Sequence, residues 1–130
     1  MADHDLLGAP SLDLDDSDIL TGYTSAPFEL EELEEMLKND PENEMLLDIA
    51  AFKYYTSGSL DKALDSYQRL IKLNYKKQLY HFYLANTFYK LNRITEACAE
   101  WETVRGLDTH SAYGKKAEQR LKALAPGARI

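Results

Sequence analysis

Cysteine is nearly missing from this chain. Among 130 residues only Cys98 carries a thiol, which excludes an internal disulfide and any cysteine-cluster zinc site. Long apolar runs are missing too, and none approaches the ~18 residues needed to cross a bilayer. The first residues, Met1-Ala2-Asp3-His4-Asp5, are acidic where a secretory leader would be basic, and no apolar stretch follows them. The expectation is a cytoplasmic protein with no membrane partner. Lysine and arginine are absent from positions 1–24, which hold six aspartates.

Signatures of catalysis are equally scarce. There is no glycine-rich loop ending in Lys-Ser or Lys-Thr, and no Gly-x-Ser-x-Gly elbow for a nucleophile. The histidines are His4, His81 and His110, and none has a carboxylate or second histidine at the i+3 or i+4 spacing of a helical metal pair. His81, near Tyr80 and Tyr83, reads as a partly buried packing residue. Cys98, beside Ala97, reads as a small buried apolar group. The acidic cluster from Glu29 to Glu35 reads as the wet face of a helix. No enzyme, metal or cofactor is expected.

What the chain does contain is an uneven charge. The net charge of −7 divides into −13 for residues 1–44, with 14 acidic residues against Lys38, and +6 for residues 45–130, with 14 basic against 8 acidic. Such asymmetry separates a tail from a body. Residues 1–24 bury too little apolar surface to offset a backbone ordering cost of ~1–2 kcal/mol per residue, so they are expected to be disordered in isolation. Within them Ser11-Leu12-Asp13-Leu14-Asp15-Asp16-Ser17-Asp18-Ile19-Leu20 reads either as part of a solubilising tail or as a docking motif. In the second case Leu12, Leu14, Ile19 and Leu20 would anchor it and the aspartates would steer it.

The body repeats itself with a fixed period. Shifting the sequence by 34 positions pairs Ala51 with Ala85, Tyr54 with Phe88, Tyr55 with Tyr89, Leu60 with Ile94, Ala63 with Ala97, Tyr67 with Trp101 and Leu73 with Leu107. Inside the first copy Leu47, Ala50, Ala51 and Tyr54 share one helix face. Gly58 then supplies a left-handed cap, with Asn92 at the equivalent place in the second copy. A second helix follows, with Leu60, Ala63, Leu64, Tyr67, Leu70 and Ile71 inward.

The pattern Ala51…Tyr54…Gly58…Ala63…Tyr67, repeated as Ala85…Phe88…Asn92…Ala97…Trp101, resembles the tetratricopeptide repeat family. The resemblance covers roughly residues 28–124. It implies an all-α fold, a right-handed superhelical α-solenoid of antiparallel helix pairs. The chain then divides into an acidic tail (1–24), a helical domain (25–125) and a loose C-terminus (126–130). Within the domain fall a half repeat (28–43), two full repeats (44–77 and 78–111) and a solvating capping helix (112–125) whose register drifts from the frame of the repeat. Tyr75 and Thr109 stand where the family often has proline, Leu70 and Val104 where it often prefers smaller residues, and His81 where it uses a large apolar one.

The same resemblance implies that the first helices line a concave wall bearing Met45, Asp48, Phe52, Tyr55, Leu79, Phe82, Asn86 and Tyr89. A wall so aromatic suits capture of a peptide or helical segment of another protein, because rigid rings lose few rotamers on contact. The alternative is that Phe52 and Phe82 pack against the next repeat's helix as core. Of the family's clamp for a chaperone's terminal carboxylate only Asn86 fits, since Asp48 and Phe82 replace its basic or polar groups. Lys115, Lys116 and Arg120 on the last helix are candidates for contacts with acidic groups.

The expected function is therefore a non-catalytic adaptor or scaffold. Alternatives are a cargo chaperone for a secretion or assembly system, or a self-assembling scaffold whose half repeat leaves an apolar flank open to another copy. Nucleic acid is not an expected partner, because the −13 segment would repel phosphates. The acidic tail and the basic, aromatic wall are mutually complementary. Part of residues 6–23 is accordingly expected to lie across the groove, within one molecule or between two, at the mM effective concentration of a tether.

Overall fold

A computed structural model describes residues 12–19 and 28–125. Among them all regular structure is helical. The helices are α1 (Leu30–Asn39), α2 (Glu44–Ser57), α3 (Leu60–Leu73), α4 (Gln78–Lys90), α5 (Ile94–Leu107) and α6 (Ala112–Leu124). Each packs on the next, and α4 also touches α6, two places along. Short connections make consecutive helices antiparallel neighbours. None of the helices is long and apolar enough to cross a membrane.

The period of the sequence reappears in the element boundaries. Helices α2, α4 and α6 begin at 44, 78 and 112, while α1, α3 and α5 end at 39, 73 and 107. The expected drift of α6 out of this frame is thus corrected. Its weak apolar signal hid a start that continues the repeat, because its inward positions are taken by Gly114, Ala117 and Arg120.

The turns within each pair are built alike. Gly58 (φ 86°) and Asn92 (φ 62°) both take the left-handed conformation, which glycine adopts freely and asparagine tolerates. Behind them the Ser59 N–H donates to the Tyr54 carbonyl at 2.9 Å and the Arg93 N–H to the Phe88 carbonyl at 2.8 Å. These closures satisfy carbonyls that a helix end leaves without partners.

Between the helices of a pair the small residues allow close approach. Ala51 and Ala63, and again Ala85 and Ala97, are fully buried, with Tyr67 and Trp101 filling the space beside them. Leu70 and Val104 are also fully buried, so the core accepts larger groups there than the family pattern prefers. Of the half repeat, Leu33 is fully buried while Leu30, Met36 and Leu37 are partly covered. Its Glu34 carboxylate accepts a hydrogen bond from the Tyr54 hydroxyl, and Lys62 lies 3.6 Å from the same group.

Successive pairs are joined by polar bonds at matching places. Glu44 accepts from the Tyr80 hydroxyl at 2.7 Å and from Asn74 at 3.2 Å. Gln78, one period later, donates to the Val104 carbonyl at 2.7 Å and the Asp108 carbonyl at 2.8 Å, and accepts from the Ser111 hydroxyl. His81 is more deeply enclosed than its sequence context suggests. It is 2% exposed, with Nδ1 2.7 Å from the Glu100 carboxylate and Nε2 2.7 Å from the Tyr75 carbonyl. Cys98 is half-buried, and burial pushes its thiol above the usual range.

Gly114 allows α6 to meet the preceding turn, since a Cβ there would lie 2.0 Å from the Asp108 carbonyl oxygen. Gly114→Ala is therefore expected to destabilise the fold by about 1–3 kcal/mol, read as a lower thermal midpoint. Hydrogen bonds from Tyr80 and Asn74 hold the Glu44 carboxyl below the usual glutamate range. A depressed folded-state value contributes stability that is present above the unfolded-chain value and lost as pH falls through the folded one. Urea unfolding of the wild-type chain should thus lose more stability between pH 6 and pH 3 than that of Glu44→Gln.

Candidate functional site

The residues expected on the concave wall occupy four recurring places on α2, α4 and α6. Steps of one period relate Met45, Leu79 and Tyr113; Asp48, Phe82 and Lys116; Phe52, Asn86 and Arg120; and Tyr55, Tyr89 and Ala123. The structure brings most of them together, but it does not leave them open. Phe52 is 8% exposed, Tyr55 6% and Phe82 0%, so the expectation of an exposed aromatic wall is corrected. Ring packs on ring along the face. Phe52 meets Tyr83 edge-on at 5.4 Å, Tyr83 meets Phe82 at 5.3 Å, and Phe82 meets Tyr113 at 5.1 Å. Asp48, Leu79 and Tyr89 are half-buried, and Met45, at the start of α2, stands exposed. Lys115 is exposed as well.

The acidic segment 12–19 lies on this face. Its centre is Asp16, a carboxylate only 5% exposed. One oxygen sits 2.5 Å from Arg120 Nη2 and the other accepts from Asn86 Nδ2 at 3.0 Å. Arg120 Nη1 donates to Asn86 Oδ1 at 2.9 Å, which closes a triangle of three buried polar side chains. Arg120 also lies over the Phe82 ring, 5.0 Å from its centroid, so its guanidinium is held from below by a π-face. Lys116 completes the basic side, 3.7 Å from Asp16 and 3.1 Å from Asp18.

Backbone groups of the segment are read as well. The Leu12 N–H donates to the Tyr89 hydroxyl at 3.1 Å, and Arg120 Nη2 donates to the Asp13 carbonyl at 3.3 Å. Leu12, Leu14 and Ile19 pack against the hydrophobic core and are partly covered by it. The segment shapes itself locally. Asp13 accepts from the Asp15 N–H at 2.9 Å, Asp15 from the Ser17 N–H at 3.1 Å, and the Asp16 carbonyl from the Ile19 N–H at 3.0 Å. Aspartates favour such side-chain turns. The bonds from Ser17 hold the Asp15 carboxyl below the usual range.

The charge of Asp16 is felt by the phenols around it. Burial first, and the Asp16 carboxylate second, push the Tyr55, Tyr83 and Tyr113 hydroxyls up. Lys90 Nζ lies 4.2 Å from the Tyr55 ring centroid, and desolvation holds its amine below the usual lysine range.

Of the expected residues, Asn86, Tyr89, Lys116 and Arg120 thus converge on one segment, and Leu12, Leu14 and Ile19 are that segment's apolar contacts. Leu20 of the same motif lies outside the described residues, as do the rest of the tail and positions 126–130. Asp16, Tyr113 and Lys90 were missed as site residues. Counting one period onward from Leu79 would have found Tyr113, whereas nothing in the order of the aspartates marks Asp16 as the buried one. Among the described residues no group of three or more His, Cys, Asp or Glu side chains could hold a metal ion. No family model and no curated protein matches the chain.

Removing one partner of a buried ion pair that cannot rearrange costs about 3–5 kcal/mol. Asp16 rides on a segment that can leave, so the cost here should stop at the loss of docking. Arg120→Ala should release amide protection at 12–19 by hydrogen exchange while α2–α5 remain protected, with a stability loss below that range. Protection at 12–19 unchanged by the substitution would contradict this account.

Proposed function

We propose that this chain is a non-catalytic protein-interaction module of the tetratricopeptide-repeat type. Its helix pairs would stack as a solenoid, and its α2–α4–α6 face would bind a segment of another protein. In the state described, the chain's own acidic segment occupies that face, so a partner has to displace it. The observation that carries this reading is the burial of Asp16 between Asn86 and Arg120.

Charge supports it from both sides, because a body of +6 faces a tail and first helix of −13. The tether supports it too, since an attached segment has an effective concentration in the mM range and masks the face even with weak contacts. A free partner must therefore compete with a local ligand, and its apparent affinity falls by the fraction of molecules whose face is open. The pairing of family-like helices with a self-occupied face favours regulated recruitment over permanent scaffolding. Cytoplasmic recruitment remains the expected setting.

The test compares the full chain with Asp16→Lys as baits in lysate of the source cells. Asp16→Lys should recover a partner at several-fold higher yield than wild type, and adding Arg120→Glu to the bait should abolish the gain. Equal recovery by all three baits, or recovery insensitive to Arg120, would overturn the masked-module reading.

A further inference from the structure

The tail does more than cover the face, for its contacts specify what the face accepts. We propose that the external ligand is a non-helical protein segment built around one buried aspartate and turning back just after it. Apolar residues would stand four and two positions before it and three after it, with a second acid two positions after. This rests on the proposed function above and deepens it from a peptide or helix to one class of segment.

A non-helical backbone is required because the backbone itself is read. Tyr89 accepts the N–H four positions before the buried aspartate, and Arg120 donates to the carbonyl three positions before it. Inside a helix, beyond its first turn, both groups would be committed to intrahelical bonds. An aspartate is required because its carboxylate is enclosed by Asn86 and Arg120, which hold each other at 2.9 Å and are 0% and 6% exposed. Their mutual bond sets the depth of the seat. One more methylene would drive a glutamate head into that closed pair, or lift the backbone off Tyr89 and Arg120. The apolar positions follow from Leu12, Leu14 and Ile19, which pack on the core, and the second acid follows from Lys116 at 3.1 Å from Asp18. The occupant we assign to the face is thus a partner protein's segment of this chemistry, complementary in charge to Lys116 and Arg120.

The experiment uses the full chain throughout. First, the Asn86 side-chain amide and the Leu12 amide are followed by NMR in wild type and in Asp16→Ala. Both signals should move to free positions in the variant. If they stay, the carboxylate does not hold the segment, and the masked-module reading fails together with this one. Second, a labelled peptide of residues 10–20 is titrated into full-length Asp16→Ala by fluorescence anisotropy. It should bind there and bind several-fold more weakly to wild type. The peptide carrying Asp16→Asn should lose at least about 30-fold, as for truncating one partner of a buried charge pair, and Asp16→Glu should lose about tenfold. A scrambled peptide of the same composition should not bind. Equal binding by the scrambled or Asp16→Glu peptide would overturn the ligand class and leave self-occupancy standing. Absence of binding by the parent peptide, once the NMR signals have moved, would overturn it too.

Discussion

One carboxylate organises the face formed by α2, α4 and α6. Asp16 is buried between an amide and a guanidinium that already bond each other, and few arrangements satisfy three such groups away from water. A buried charge left without partners is costly, and a half-satisfied polar network is worse than an apolar one. The triangle is therefore all-or-none. With the carboxylate seated, Arg120 and Asn86 are satisfied by protein. With it gone, they must meet water or another acid.

That constraint holds residues 12–19 on the face despite their acidic composition. Residues 12–19 have no core of their own, and their order comes from the body. Leu12, Leu14 and Ile19 supply modest apolar cover, Tyr89 and Arg120 hold the backbone, and Lys116 draws in Asp18. Each contact alone is weak or screened by salt. The tether and the buried pair make them collective.

The rings beneath have a second role. Phe52, Tyr83, Phe82 and Tyr113 run edge to face across α2, α4 and α6, the three helices that open successive repeats. This ladder joins one pair to the next, work shared by the hydrogen bonds that Glu44 accepts from Tyr80 and Gln78 from Ser111 at the helix starts. Residues that look like binding groups from the sequence are thus partly structural cement. The groups that hold segment 12–19 are the polar ones set among them.

Much of the helical organisation was legible in the sequence. Alanines at 51, 63, 85 and 97 marked close helix contacts, Gly58 and Asn92 marked left-handed turns, and the repeat period marked where each pair begins, all because local sterics and helical periodicity act over short stretches of chain. The sequence also determined that residues 1–44 and 45–130 carry opposite net charges. Tertiary structure alone decided the rest. Whether Phe82 is a binding ring or a buried one depends on Tyr113, a neighbour on a different helix that no local pattern links to it. Which of the four described aspartates in 12–19 is buried depends on where Arg120 and Asn86 converge, and that point exists only once three helices lie side by side. Burial and electrostatic satisfaction are properties of surroundings, and the surroundings here come from residues as far apart in the chain as Asp16 and Arg120.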